Sequence, residues 1–326
     1  MNRAVNRADT LFDADLLTGL DRFAGGPPLS AGTLAAAREQ MAAFNPTPAE
    51  AIGDRPIAWR EYRAAGLDGA PGVALTVLHP RGPLRSPAPL LYNIHGGGMV
   101  LDNRFGDLPR MVALVEEFGF VAATVEYRLA PEHPHPAPIE DCYAGLLWLA
   151  AHAGELGADP DRLVVMGGSA GGGLAAGLAL LARDRGGPRI AAQLLLCPMI
   201  DDRNDSDSTR EYAADGTWTR DSNALGWRSL LGPGAPDGYA APARADDLRG
   251  LPPAFVEVGA AEIFRDEDVD YCRRLWSAGV PAELHVWARA YHGFDRFAPT
   301  SETARAARAS RSSWLRRVLT LDPASP

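Results

Sequence analysis

The chain contains no lysine; all 32 of its basic residues are arginine. That absence removes one nucleotide-binding signature, because the phosphate-cradling G-x-x-x-x-G-K-[ST] loop depends on its lysine. We read the arginine bias as the codon usage of a GC-rich genome and not as a functional feature. Cysteine is scarce too. Cys142, Cys197 and Cys272 are widely spaced and odd in number, so they give no disulfide framework and no Cys-x-x-Cys zinc site. Reduced thiols in a cytoplasmic protein are the simple expectation. Long apolar runs are missing: no window approaches the roughly 18 residues of a membrane span. The opening "MNRAVNRADTLFDADLLTGL" lacks the apolar stretch of a signal peptide. Positive charge is in deficit. A formal net charge of -9 argues against a nucleic-acid partner.

What is present is an apolar content of 46% over 326 residues, enough for a sizeable core. Strand patterns recur in "GVALTVLHP", "LLYNIH", "FVAATVEYRL", "DRLVVMGG", "IAAQLLLCP", "PPAFVEVG" and "AELHVWA". Between them lie helical patterns: "LPRMVALVEEFG", the strongly amphipathic "IEDCYAGLLWLAAHAGELG", "AGGGLAAGLALLARDRG" and "DEDVDYCRRLWSAG". From about residue 85 onward this alternation predicts an α/β class fold, a doubly wound and mostly parallel sheet flanked by helices. Residues 1–50 carry helical patches, "DADLLTGLDRFA" and "SAGTLAAAREQMAAF", and a Pro-rich connector follows at "RGPLRSPAP". Residues 200–250 break the rhythm with a polar stretch holding Trp218 and Trp227, which reads as an insertion over the sheet. The tail "SETARAARASRSSWLRRVLT" reads as a last amphipathic helix packed on the sheet.

Ligands of open α/β sheets bind beyond the carboxyl ends of the strands. The sharpest motif sits at such a place. Gly167-Gly168-Ser169-Ala170-Gly171 matches G-x-S-x-G, with an apolar strand before it and a helix after it. A turn this tight needs small neighbours and lifts the serine off the sheet, next to unpaired N–H groups at a helix start. Ser169 is therefore the candidate nucleophile. It needs a base. Of seven histidines, His292 in "ARAYHGFD" follows the last strand and has Gly293 to turn the loop. It also obeys the chain order Ser…Asp/Glu…His. His285 alternates within a strand, His152 lies in a helix, and His79, His133 and His135 are elsewhere. The acid that orients the imidazole should follow the penultimate strand. "FVEVGAAEIFRDED" offers Glu262 first, with Asp266 as the next candidate.

"LYNIHGGGMV" places three glycines, Gly96, Gly97 and Gly98, straight after a strand. Glycine is conformationally costly, so three in a row require a reason. Acyl transfer passes through a tetrahedral oxyanion, and each preorganised N–H donor lowers the barrier by on the order of 3 kcal/mol. Side chains here would block the approach of backbone to substrate. HGGG-type loops are the known second half of such an oxyanion hole beside G-x-S-x-G.

Taken together, "HGGG", "YRLAPEHPHPAPIEDC", "GGSAGGG", "CPMIDDRN", "GAAEIFRDED" and "YHGF" resemble the hormone-sensitive-lipase-like, bacterial family IV esterases of the α/β-hydrolase fold. The resemblance covers about residues 75 to 300. It implies Ser169 as nucleophile, Glu262 as acid and His292 as base. Gly97, Gly98 and Ala170 would supply the oxyanion N–H groups, and His95 would organise the loop. It implies a helical cap: N-terminal cap helices over 1–50 and a cap insertion over 200–235, with core parts at 51–199 and 236–326. The acid is often aspartate in relatives and is glutamate here. Met99 stands where an aromatic is common; it, Trp218 and Trp227 are candidate substrate-pocket residues. The implied activity is hydrolysis of short-acyl carboxylic esters through an acyl-enzyme, with no cofactor and no metal. A small-molecule ester would be the partner, with neither nucleic acid nor membrane, and a homodimer through the edge strand near 282–288 is implied by relatives. An amidase, lactonase or deacetylase would use the same triad. A ligand-binding receptor on this fold would lack the histidine that is present here.

Overall fold

A computed structural model of the protein describes residues 7–21, 28–82 and 87–320. Three helices precede the sheet: α1 (Arg7–Leu11), α2 (Leu34–Phe44) and α3 (Pro48–Ile52). Eight strands follow: β1 (Ile57–Ala64), β2 (Val73–Pro80), β3 (Ala88–Ile94), β4 (Val121–Glu126), β5 (Ala158–Gly168), β6 (Ala192–Leu196), β7 (Ala254–Gly259) and β8 (Ala282–Trp287). Between strands run α4 (Leu108–Phe118), α5 (Ala137–His152), α6 (Ala170–Asp184), α7 (Asp207–Glu211), α8 (Arg220–Leu231) and α9 (Arg265–Ser277). The short α10 (Phe294–Phe297) and long α11 (Glu302–Thr320) close the chain. The predicted helical patch at 13–24 is instead a 3-10 turn over Ala14–Gly19, and its residues 22–24 lie outside the described residues. So do residues 83–86 of the Pro-rich connector.

The strands form one sheet in the order β1-β2-β4-β3-β5-β6-β7-β8. β2 runs antiparallel to both neighbours, and every pairing from β4 to β8 is parallel. This is the expected mostly parallel sheet. β3, β6 and β7 are buried along their whole length, as their unbroken apolar sequences require of strands covered on both faces. Alternation along β3 divides the core. Leu90, Tyr92 and Ile94 join one cluster with residues of α5, α6 and α9, whereas Leu91 joins the other with α4 and α11. Each fully buried leucine or valine contributes about 1.5–3 kcal/mol to holding the layers together.

Three elements differ from the sequence reading. β1 was not expected, because "IAWREYRA" carries charges on its exposed positions and lies at the sheet edge. α7 and α8 occupy the polar insertion; Ser206 and Thr219 cap them by accepting N–H bonds from Thr209 and Ser222. α5 stops at His152 and is not simply amphipathic, since Ile139, Asp141, Cys142, Tyr143, Ala144, Gly145, Leu146 and Leu149 are all buried. Asp141 is tolerated there because Arg128 forms a 2.8 Å ion pair with it.

The face of α9 turned inward carries two buried acids. Glu267 accepts the N–H of Ile200 at 3.2 Å. Asp268 is fully buried, and neither of its carboxylate oxygens has a hydrogen-bond partner among the described residues. Burial, with Glu267 and Glu262 nearby, pushes its carboxyl well above the usual range. A raised folded-state pKa stabilises below the unfolded carboxylate range, and that stability is lost as pH rises. Asp268→Asn removes the dependence. Its stability relative to the parent should grow from about pH 5 to pH 8, by up to about 1.4 kcal/mol per pH unit. Thermal melts of both proteins across that range check this; a constant difference would mean that Asp268 is ionised in the fold.

Candidate active site

The chain order of the strands reverses between β4-β3 and β5, and the two glycine-rich loops meet at that switch point. Parallel pairing sets Ile94 level with Gly167. His95 and Ser169 therefore leave adjacent strands at nearly the same height. Ser169 has φ 57° and ψ -125°, a conformation that L-residues adopt only under constraint, and α6 begins at the next residue. The two loops pack backbone on backbone. A methyl at Gly171 would lie 2.6 Å from the His95 carbonyl oxygen, and one at Gly96 would lie 3.3 Å from Ser169 Cβ.

Three side chains from three loops make a hydrogen-bonded chain. Ser169 Oγ is 2.9 Å from His292 Nε2, and His292 Nδ1 is 2.5 Å from Glu262 Oε2. With Nδ1 protonated toward the carboxylate, Nε2 is left to accept from the serine hydroxyl. Glu262 Oε1 accepts the N–H of Gly259 at 2.8 Å, which fixes the carboxylate. Ala261 N–H donates to Ala290 O at 3.0 Å and ties the acid loop to the histidine loop. Thr217 of the insertion donates its hydroxyl to His292 O at 2.5 Å. Phe264 lies edge-on to the imidazole, with ring centroids 5.1 Å apart.

The donors beside Ser169 are free. Gly97 and Gly98 have φ of 100° and 63°. No hydrogen bond among the described residues uses the N–H of Gly97, Gly98 or Ala170, although the N–H groups of Val100 and Leu101 both donate to Gly97 O. His95 shapes this loop without reaching the serine. Its ring stacks on Tyr127 at 4.1 Å, and the Tyr127 hydroxyl donates to His95 O at 2.9 Å. From outside, α2 holds the loop: Arg38 Nε donates to Val100 O at 2.7 Å and Nη2 to Ala130 O at 2.8 Å. Asn45 donates to Asp102 at 2.6 Å, and Arg296, four residues past His292, pairs with the same carboxylate at 2.7 Å.

The pattern of an α/β-hydrolase-fold family matches residues 91–296. The carboxylesterase NlhH of Mycobacterium tuberculosis is 36% identical over 292 residues, 84% of this chain and 86% of that protein. The chain belongs to this family. Solved structures agree with the assignment. A bacterial heroin esterase superposes with a TM-score of 0.88 at 37% identity, covering 96% of this chain and 99% of that one. Esterase LipW from Mycobacterium marinum gives 0.89 at 32% identity, covering 97% and 98%.

Within this α/β-hydrolase the other candidates fall away from Ser169. His285 is stacked between Phe255 and Trp287, His152 on Trp148, and His135 faces Asp237. Asp266, the alternative acid, accepts Ser208 N–H at 2.7 Å and pairs with Arg265. Of the pocket candidates, Met99 is fully buried and runs toward Gly173 of α6, the helix that begins at the Ser169 turn (the elbow). Trp227 is 3% exposed and packs in the core. Both belong to the core cluster that includes residues of β3 and α6. Trp218 is half-buried and covers Gly98 so closely that a methyl there would lie 2.5 Å from its ring. Gly226 of α8 likewise abuts the Gly98 carbonyl.

Sequence reasoning missed a buried charge network behind the triad. Asp295, three residues past His292, pairs with Arg110 of α4 at 3.0 Å and with Arg311 of α11 at 2.7 Å. Arg311 also pairs with Glu257 of β7, and Arg110 with Asp107. Burial works to raise Asp295, but the two guanidiniums outweigh it and hold the carboxyl below its usual range. Burial dominates at Glu257 and raises it. Arg311 thus joins the strand leading to Glu262 to the loop carrying His292. The fork geometry of arginine matters in such a bridge. Arg311→Lys should retain the fold and lower kcat by about tenfold through small misplacement of the base, with KM nearly unchanged. Steady-state kinetics beside a thermal melt test it; an unaltered kcat with a lower melting temperature would reduce the network to a stability role.

Proposed function

We propose that the protein is a serine carboxylesterase acting on small, short-acyl carboxylic esters. The observation that carries this is the Glu262–His292–Ser169 hydrogen-bond chain beside three unpaired backbone N–H groups. His292 takes the Ser169 proton as Oγ attacks the ester carbonyl. The oxyanion forms against Gly97, Gly98 and Ala170, where the donors cost no rearrangement. His292 then protonates the leaving alcohol, and the acyl group stays on Ser169. A water, deprotonated by the same imidazole, releases the acid and restores the hydroxyl. Glu262 holds the ring orientation and stabilises the imidazolium.

The N-terminal helices and the 200–235 insertion act as the cap. α2 grips the oxyanion loop through Arg38, and α8 and Trp218 lie on Gly98. Trp218 bounds the acyl side of the pocket, with Met99 and Trp227 supporting it from behind. That cover supports a short-acyl preference, as does a relative in Streptomyces hygroscopicus named acetyl-hydrolase, 30% identical over 273 residues. No helix among the described residues is long and apolar enough to cross a membrane. Three unpaired cysteines fit a cytoplasmic setting.

Hydrolysis of p-nitrophenyl acetate, butyrate, octanoate and palmitate tests the reading. Activity should peak at the shorter esters, and Ser169→Ala should lose at least about 10⁴-fold in kcat. Trp218→Ala should shift the preference toward longer chains. A folded wild type that leaves every ester intact but cleaves matched amides or lactones would replace this function with one of those.

The outer edge of β8, which among the described residues pairs with β7 alone, supports an assembly. Val286 on that strand and Trp276 beside it are 42% and 49% exposed. We place a homodimer contact there, through residues 282–288. Val286→Arg should convert a dimer to a monomer in size-exclusion chromatography; a wild-type monomer at every concentration would refute the contact.

A further inference from the structure

Cys197 lies between the serine and the acid. It follows β6 directly and has a positive φ of 40°. Its N–H donates to Glu257 O at 2.6 Å, and the N–H of Ser169 donates to Leu196 O at 2.8 Å. The backbone thus fixes Cys197 beside both the elbow and the acid strand. Its sulfur, a Glu262 carboxylate oxygen and a His292 ring nitrogen all lie within 4.8 Å of one another. No other such cluster of three exists among the described residues. Cys142 and Cys272 are fully buried, whereas Cys197 is partly accessible.

We propose that Cys197, Glu262 and His292 form an inhibitory site for one thiophilic divalent cation, Zn²⁺ or Cd²⁺. The inference rests on the triad reading above. Sulfur, imidazole nitrogen and carboxylate oxygen are the zinc donor set, and bonds of about 2.0–2.3 Å put such donors roughly 3.3–3.8 Å apart. The ion would draw the sulfur inward and part the 2.5 Å bond between Glu262 and His292. Binding releases the thiol proton, because the thiolate is the ligand. The cation takes the Nδ1 lone pair, so the proton of the neutral ring moves from Nδ1 to Nε2 through solvent. Nε2 then carries a proton and cannot accept that of Ser169. The base is lost without any change in the serine itself.

The test reads inhibition and binding separately. Hydrolysis of p-nitrophenyl acetate is followed at rising Zn²⁺ for the wild type and Cys197→Ser, each against its own metal-free rate. Cd²⁺ binding is read from the ultraviolet thiolate-to-cadmium absorption of the wild type, Cys197→Ser and Ser169→Ala. Loss of a supporting residue outside the ligand set already costs a metal site about 10–100-fold in affinity. Loss of the sulfur ligand should therefore demand at least about tenfold more Zn²⁺ for half-inhibition. One Cd²⁺ per chain should give the band in the wild type and Ser169→Ala and none in Cys197→Ser, and a chelator should restore activity. Equal Zn²⁺ sensitivity of the wild type and Cys197→Ser, or no cadmium band in the wild type, overturns the proposal. Should Cys197→Ser fail to fold, Cys197→Ala serves. The cadmium band needs no turnover, so a chain inactive on every ester would sink the esterase reading and still test the metal site.

Discussion

The site depends on how closely two backbones approach at the sheet's switch point. Gly96 and Gly171 allow the loop after β3 and the first turn of α6 to touch without side chains between them. From that contact follow the height of Ser169, its left-handed φ and the orientation of the unpaired N–H groups around it. The strain at Ser169 persists because the turn is fixed on both sides. β5 pairs with β3 and β6, and Gly173 N–H and Met199 N–H both donate to Ser169 O. A backbone conformation that costs energy is here held by neighbours that cannot move.

Charge plays the second organising part. Lysine is absent, so every buried cation is a guanidinium. Arg38, Arg110, Arg296 and Arg311 each reach at least two partners, several of them backbone carbonyls or carboxylates far away in the chain. A compact ammonium lacks the planar fork that holds separated partners in fixed geometry, and a partner left buried and unpaired is the costly case. The arginine bias therefore fits the architecture whatever its genomic origin.

Much of the candidate site is legible in the sequence because its residues lie in short motifs at strand ends. The elbow, the three-glycine loop, Glu262 and His292 each carry local signatures, and position after a strand selected them from among competitors. The central parallel strands were legible for a similar reason, since burial on both faces writes an unbroken apolar run. β1 was not, because an edge strand can carry charges. Nor were the residues that hold the site. Arg38 and Val100 are 62 positions apart, and Arg110 and Asp295 are 185 apart. No local pattern announces such a pair. Met99 and Trp227 could not be placed from residue type alone, because a side chain suited to a pocket wall is equally suited to the core behind it.

The place of Arg311 bears on how the protein is made. It sits in α11, after both loops in chain order, yet it joins the strand before Glu262 to the loop of His292. A nascent chain still missing that helix holds its serine and its glycine loops but not the brace on its base. The brace therefore forms only after the loops of Glu262 and His292 have emerged. A chain truncated before this helix would keep Ser169, Glu262 and His292 and still lack the brace that aligns them.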